Sequence, residues 1–140
     1  MTASQTDRAQ PESFRGRALM VSLTVNNLER SRDWYRDVIG FTVDREHQRD
    51  GKLMAVSLKA GAVQILVNQD DGAKGANRVK GVGFSMQITT TQNIDELAKR
   101  AKDHGATLDT EPMDTRWGAR IFRLTDPDGF KLTISSERPS

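Results

Sequence analysis

Apolar and polar residues follow one another along the chain in an order that predicts a strand, a helix and three further strands. Residues 18–25 form an apolar run with β-branched side chains, which is typical of a buried strand. Asn26 with Glu29 three residues later resembles a capping box, so a helix is predicted to begin there. The residues able to share one face of that helix are Leu28, Ser31, Tyr35, Val38 and Ile39. Gly40 is predicted to end it, because glycine adopts the left-handed conformation that commonly follows a helix.

Three strands are predicted after this helix. Residues 41–49 and 52–58 are strand candidates joined by Asp50-Gly51, a strong signal for a two-residue hairpin turn. A second turn at Ala60-Gly61 leads into the apolar residues 63–67. The polar, glycine-containing residues 69–80 then predict a linker.

The same order restarts after the linker. Residues 82–88 predict a strand, and Asn93 with Glu96 repeats the capping pattern. A helical stripe follows at Ile94, Leu97, Ala98 and Ala101. His104-Gly105 is predicted to close this helix and residues 106–110 to form a strand. A loop containing Pro112, a strand at 118–125, a turn at 126–129 and a last strand at 130–135 complete the prediction.

The two halves resemble copies of one module. The segment IGFTVD at residues 39–44 is echoed by HGATLD at 104–109, and caps and stops recur in the same order. We therefore predict an α+β fold in one domain over residues 17–136, with modules at 17–68 and 81–136. Residues 1–16 and 137–140 are predicted to be tails.

Composition argues against several classes of function. The 21 basic and 19 acidic residues are interspersed, which argues against a nucleic-acid groove with clustered positive charge. Cysteine is absent, so no thiolate nucleophile or cysteine-ligated zinc is expected. No apolar run approaches a membrane span, and the first 17 residues lack the apolar centre of a secretory signal. We expect a cytoplasmic protein with no membrane or nucleic-acid partner.

Two motifs carry a resemblance to a known family. LTVNNLERS at residues 23–31 with WYRDVIGF at 34–41, and WGAR at 117–120 with DPDGF at 126–130, resemble the opening and closing segments of glyoxalase/bleomycin-resistance/dioxygenase proteins, the vicinal oxygen chelate superfamily. The resemblance implies two tandem βαβββ modules that form a curved half-barrel sheet around a central cleft, with the helices on the outer face. It also implies a homodimer, with clefts near or across the subunit interface.

Metal-dependent members of this family carry one His or Glu ligand on each of four strands, and the divalent ion acts as a Lewis acid. Those positions are expected to fall on residues that are poor ligands for a hard divalent ion. They are Met20, Leu66 (or Gln64 if the register slips by two), Gly83 and Thr133. We therefore expect neither a metal nor another cofactor.

Other side chains are candidates for ligand contact. His47 lies near the end of a strand and is either a cleft residue or a solvent-exposed histidine, whereas His104 suits a helix C-terminus. Gln64 and Asn68 are amides at or near cleft positions implied by the resemblance. Trp117 is a candidate lid or interface aromatic. Arg120 offers a planar fork to a ligand anion or forms a surface ion pair.

Three hypotheses follow. The first is a metal-independent protein that binds a small organic molecule, as drug-sequestering family members do, with ligand contacts from Met20, His47, Gln64, Leu66, Asn68, Gly83, Trp117, Arg120 and Thr133. The second is a lyase or dioxygenase with an atypical metal site, or an enzyme that uses His47 as a general base; no catalytic residue is otherwise assigned. The third is a structural or regulatory dimer without a ligand.

Overall fold

A computed structural model of the protein describes residues 13–75 and 78–138. The first module contains β1 (Met20–Val25), α1 (Leu28–Trp34), a π-helical turn (Tyr35–Ile39), β2 (Thr42–Arg49), β3 (Lys52–Ala60) and β4 (Val63–Gln69). The second contains β5 (Ser85–Thr90), α2 (Ile94–Asp103), β6 (Leu108–Asp114), β7 (Arg120–Thr125) and β8 (Lys131–Ser136). The first twelve residues of the predicted N-terminal tail lie outside the described residues.

The strands form two four-stranded sheets with the same topology. The order is β1-β4-β3-β2 in the first sheet and β5-β8-β7-β6 in the second. In each sheet the first strand of the module runs parallel to the last, and the other neighbours are antiparallel. The predicted α+β fold of two βαβββ modules is confirmed. No described helix is long and apolar enough to cross a membrane.

The N-terminus of α1 differs from the prediction by one residue. The Oδ1 of Asn27, not of Asn26, accepts a hydrogen bond from the backbone N–H of Arg30, at 3.1 Å. The side chain of Asn26 instead accepts from the Lys80 ammonium at 2.9 Å, and its backbone N–H donates to Asp128. Asn26 therefore ties the linker and the last turn of the second module to the first module.

The predicted end of this helix and the predicted cap of α2 are confirmed. Gly40 has φ of 107° and follows the π-helical turn, whose i to i+5 bonding the sequence pattern did not indicate. At α2, the Oδ1 of Asn93 accepts from the backbone N–H of Glu96 at 3.0 Å. Both helices therefore begin and end at residue types that can satisfy the backbone N–H and C=O groups left without a partner at helix termini.

Two strand predictions in the second module were wrong. The strand predicted from residue 82 begins at Ser85, because residues 81–84 form a turn in which Gly81 and Gly83 both have positive φ. The predicted loop around Pro112 is part of β6, which runs to Asp114. Pro112 is accommodated because β6 is an edge strand whose register shifts between Thr110 and Met113.

The core lies between the helices and the helix-facing sides of both sheets. Alternate residues of the central strands are buried there, including Val56, Leu58, Ile65, Val67, Phe122, Leu124, Leu132 and Ile134. Helix α1 with its π-helical turn contacts β3 and β4, and α2 contacts β6, β7 and β8. Since successive side chains of a strand point to opposite faces, the intervening residues of each sheet lie on a face that no helix covers.

Candidate functional site

The first uncovered surface belongs to the sheet of the first module. We define the first open face by Met20, Ser22, Ser57, Gln64, Leu66 and Asn68, whose strand neighbours are core residues. Met20 lies opposite Gln64, and Ser22 lies opposite Leu66, in the parallel β1–β4 pair. Met20 is 51% exposed and Leu66 is half-buried. Apolar and polar groups therefore alternate on one accessible surface.

Hydrogen bonds orient the amides of this face. The Nδ2 of Asn68 donates to the Ser22 Oγ at 2.8 Å, and the Nε2 of Gln64 donates to the Ser57 Oγ at 3.1 Å. Ser57 also donates to Asp44 at 3.5 Å. Both amides keep the carbonyl oxygen for other partners and Gln64 also keeps one N–H, whereas Asn68 donates in addition to the Leu23 carbonyl oxygen at 3.5 Å. The face therefore presents oriented acceptors and a donor beside Leu66.

His47 lies at the edge of the first open face. It is opposite Ala55 in the β2–β3 pair, and Ala55 is in turn opposite Asn68. The imidazole is exposed, and within the described residues it forms no hydrogen bond or ion pair. A general base is normally oriented by a third group. The described surroundings of His47 do not supply one.

The second uncovered surface belongs to the sheet of the second module. We define the second open face by Ser85, Gln87, Arg123, Thr125, Lys131 and Thr133, whose strand neighbours include the buried Leu124 and Leu132. Together with Asp109 they line a concavity of about 500 Å³. The Nε of Arg123 donates to the Thr133 Oγ1 at 3.2 Å, and Thr125 donates to Asp109 at 2.5 Å. This face is more polar than the first.

Trp117 stands beside the second open face. It lies in the β6–β7 turn, is 51% exposed, and lines a concavity of about 510 Å³ together with Gln87, Thr89 and Ser135. Because Gln87 borders both concavities, Trp117 is placed to contact a molecule that extends along β5 from the second open face.

Arg120 is engaged by two carboxylates. Its Nε and Nη2 donate to Asp95 at 2.8 Å each, and its Nη1 donates to Asp114 at 3.1 Å. The hydrogen bond from Arg120 lowers the pKa of the Asp95 carboxyl and is the largest effect on it. The sequence left two roles open for Arg120, binding of a ligand anion and a surface ion pair, and these contacts match the ion pair. It joins β7 to the first turn of α2 and to the end of β6.

Gly83 lies outside both sheets. It precedes β5 in a turn, with φ of 71°, and an added Cβ would meet nothing within 4 Å. The turn residues 81–83 line a separate concavity with Phe84 and Lys131. Gly83 was predicted to lie on a strand because β5 was predicted to begin at residue 82, whereas it begins at Ser85.

The structure therefore divides the predicted site residues between two surfaces. Five lie on or at the edge of the first open face, namely Met20, His47, Gln64, Leu66 and Asn68. Thr133 lies on the second open face with Trp117 beside it, Arg120 is ion-paired, and Gly83 is in a turn. Prediction from sequence missed Ser22, Ser57, Gln87, Arg123 and Lys131, although their alternation with apolar residues in strands was a usable signal.

The donor set does not fit a hard divalent ion. The positions at which the sequence resemblance places the metal ligands carry a thioether at Met20, an amide or aliphatic chain at Gln64 or Leu66, and a hydroxyl at Thr133, whereas such ions prefer carboxylate or imidazole groups. Among residues 13–75 and 78–138, no group of three His, Asp or Glu side chains is close enough to hold a metal ion.

Comparison with known proteins gives one family match. The model of the Glyoxalase/Bleomycin resistance protein/Dioxygenase superfamily matches residues 17–134. No curated protein matches the chain.

Solved structures show the same fold. TioX from Micromonospora sp. ML1 is 20% identical, with a TM-score of 0.72 over 86% of this chain and 98% of that chain. A glyoxalase/bleomycin resistance protein/dioxygenase superfamily member from Sphaerobacter thermophilus is 23% identical, with a TM-score of 0.68 over 87% and 98%. Virulence protein STM3117 from Salmonella typhimurium is 21% identical, with a TM-score of 0.66 over 89% and 98%.

Proposed function

The chain belongs to the Glyoxalase/Bleomycin resistance protein/Dioxygenase superfamily, and from this membership we propose that it binds a small organic molecule on its open sheet faces without a divalent metal ion. The biological role we propose is sequestration of a drug or metabolite. The observation that carries the proposal is the pairing of amides with hydroxyls around Leu66 on the first open face. Oriented polar groups beside an accessible apolar side chain are the usual lining of a small-molecule site.

The residue types support binding in preference to metal-assisted chemistry. Met20 and Leu66 offer apolar contact at positions where the sequence resemblance places metal ligands, and Thr133 offers a neutral hydroxyl. Methionine suits a binding surface because its thioether is flexible and polarisable. A lyase or dioxygenase that requires a divalent ion would need carboxylate or imidazole groups at these positions.

We also propose that the protein is a homodimer. Each sheet leaves one face uncovered in the single chain, and Leu19, Val79 and Val82 are more than three-quarters exposed. Members of this superfamily often form dimers, and a dimer interface would cover such apolar side chains. Light scattering during gel filtration tests this, and a monomer at micromolar concentration would contradict it.

A thermal-shift screen tests the proposed function. Small organic molecules are added to the protein in EDTA and, in parallel, with Mn²⁺ or Zn²⁺. We expect at least one compound class to raise the melting temperature equally in all arms, because a ligand of the native state stabilises it by mass action. Stabilisation that needs the metal would contradict the proposal.

The variant Leu66→Glu places a charge in the middle of the first open face. We expect it to lose the thermal shift given by a ligand of that face. Gln48→Glu adds the same charge at an exposed position near the end of β2 and is the matched control. Equal loss in both variants would point to net charge and not to the face.

A further inference from the structure

The second open face carries two cationic side chains that no described carboxylate neutralises. Arg123 and Lys131 form no ion pair with a residue in 13–75 or 78–138, and both side chains are exposed. On the first sheet, Lys59 lies 3.5 Å from Asp44, while Arg45, opposite Ser57, is also exposed without an ion pair to a described residue. The second open face is notable because two such cations line one concavity.

Strand register brings these cations together with neutral donors. Arg123, Thr133 and Gln87 are opposite one another across β7, β8 and β5 and form one row. The adjacent row contains Thr125, Lys131 and Ser85. Neighbouring strands are about 4.8 Å apart, so the six side chains form a compact patch of donors.

The two cations are diagonal neighbours on one face of the sheet. Arg123 is opposite Thr133, and Lys131 is two residues from Thr133 on the same face of β8. Diagonal neighbours on one sheet face are about 7–8 Å apart, so two long side chains can reach the same anionic group. Asp109, the carboxylate in the concavity, accepts from Thr125 and contacts neither cation within ion-pair distance.

The guanidinium of Arg123 is partly oriented in advance. Its Nε donates to Thr133 at 3.2 Å, which leaves the terminal nitrogens without a partner among the described residues. A planar guanidinium binds carboxylate, phosphate or sulfonate oxygens through paired hydrogen bonds. The concavity of about 500 Å³ has room for a small organic molecule that bears such a group.

We propose that the ligand of the second open face is an organic anion whose acidic group is held by Arg123 and Lys131, with Thr133 and Ser85 as neutral donors. This inference rests on the proposed function and names the chemical class of its ligand. An aromatic or aliphatic body attached to the acid would extend along β5 toward Trp117.

A matched pair of probes tests the inference. 2-Naphthoate and its neutral amide, 2-naphthamide, share a ring system and differ in charge. Each is titrated into ¹⁵N-labelled protein in EDTA while amide chemical shifts are followed. We expect saturable shifts in β7 and β8 with 2-naphthoate, at least about tenfold weaker binding of 2-naphthamide, and weakening of 2-naphthoate by added salt.

The double variant R123Q/K131Q is expected to bind 2-naphthoate about tenfold more weakly. The control R49Q/K52Q removes an equal charge from another adjacent Arg–Lys pair, at the β2–β3 hairpin, and is expected to bind as the unmodified protein does. Dispersed amide spectra verify that both variants are folded. A phosphate titration in parallel shows whether the patch takes a phosphate group as well as a carboxylate.

The outcomes separate this inference from the proposed function. If 2-naphthamide binds as tightly as 2-naphthoate, or if R123Q/K131Q binds the anion as the control does, the anion inference is overturned while metal-free binding stands. If neither naphthalene probe nor phosphate shifts residues of the second open face, the inference is also overturned. If, in addition, the thermal-shift screen gives no metal-independent hit, the proposed function fails as well.

Discussion

The phenolic hydroxyl of Tyr35 donates a 2.7 Å hydrogen bond to the Oδ2 of Asp126, joining the π-helical turn of the first module to the last hairpin of the second. Both residues are buried, and the other oxygen of Asp126 accepts from the backbone N–H groups of Asp128 and Phe130. Burial raises the pKa of Asp126, and the bond from Tyr35 opposes that rise. The pair is one of several contacts that join the two modules, together with the hydrogen bonds from Asn26 and Ser31 to Asp128.

Tyr35→Phe is expected to destabilise the protein by about 1–3 kcal/mol, because the buried carboxylate loses a donor that water cannot replace. Urea denaturation of Tyr35→Phe, Asp126→Asn and the double variant measures the coupling between the two side chains. We expect a coupling free energy of at least about 0.5 kcal/mol. Strict additivity would show that the hydrogen bond does not hold the modules together.

Asp70→Asn is expected to flatten the loss of stability in acid. Asp70 accepts from Lys80 at 2.8 Å and from the backbone N–H of Gly72, and these contacts hold its pKa well below the usual range. A carboxyl with a lowered folded pKa stabilises the protein above its unfolded pKa, near 3.9, and this stabilisation is lost as the pH falls through the folded value.

Denaturation curves between neutral pH and about pH 2 check this, since that window spans the unfolded pKa of an aspartate. The variant should also be less stable at neutral pH, because the nearly buried Lys80 ammonium loses its counter-charge. Asp71→Asn is the control, because Asp71 forms no ion pair with a described residue. Parallel acid limbs for Asp70→Asn and the unmodified protein would contradict the assignment.

Gly81 and Gly83 offer a matched pair of substitutions in one turn. Both have positive φ, but a Cβ on Gly81 would come 2.2 Å from the carbonyl oxygen of Gly129, whereas one on Gly83 would meet nothing. Gly83→Ala is expected to cost about 1–2 kcal/mol from backbone strain alone. Gly81→Ala should cost roughly 1–3 kcal/mol more, because the Gly129 backbone must move. Equal melting temperatures would show that the close approach is not a constraint.

Local sequence signals predicted most of the elements. As predicted, a hairpin turn forms at Asp50-Gly51, the first helical segment ends at Gly40, and Asn93 caps α2. Such signals depend on backbone conformation over only a few residues. The cap of α1 was placed one residue early. Asn26 and Asn27 are the same residue type, so the local sequence does not show which of them caps the helix. Asn26 instead forms hydrogen bonds with Lys80 and Asp128, which are distant in sequence.

Features that depend on distant strands were predicted less well. From sequence, Pro112 predicts a loop. Only the strand order of the sheet shows that β6 is an edge strand. Arg123 and Lys131 are unremarkable in sequence, and only the pairing of β7 with β8 makes them neighbours. The pattern of a single strand reports which residues share a face, but not which strand lies beside it.

The central claim is that the protein binds a small organic molecule without a metal ion. The most direct test is the dissociation constant of the strongest ligand from the thermal-shift screen, measured by calorimetry in EDTA and again with Mn²⁺, Mg²⁺ or Zn²⁺ in excess. We predict dissociation constants that agree within about twofold, a free-energy difference of about 0.4 kcal/mol. Binding that tightens by about tenfold or more with one metal, or that disappears in EDTA, would contradict the claim. Such a result would instead favour a metal-dependent enzyme of this family.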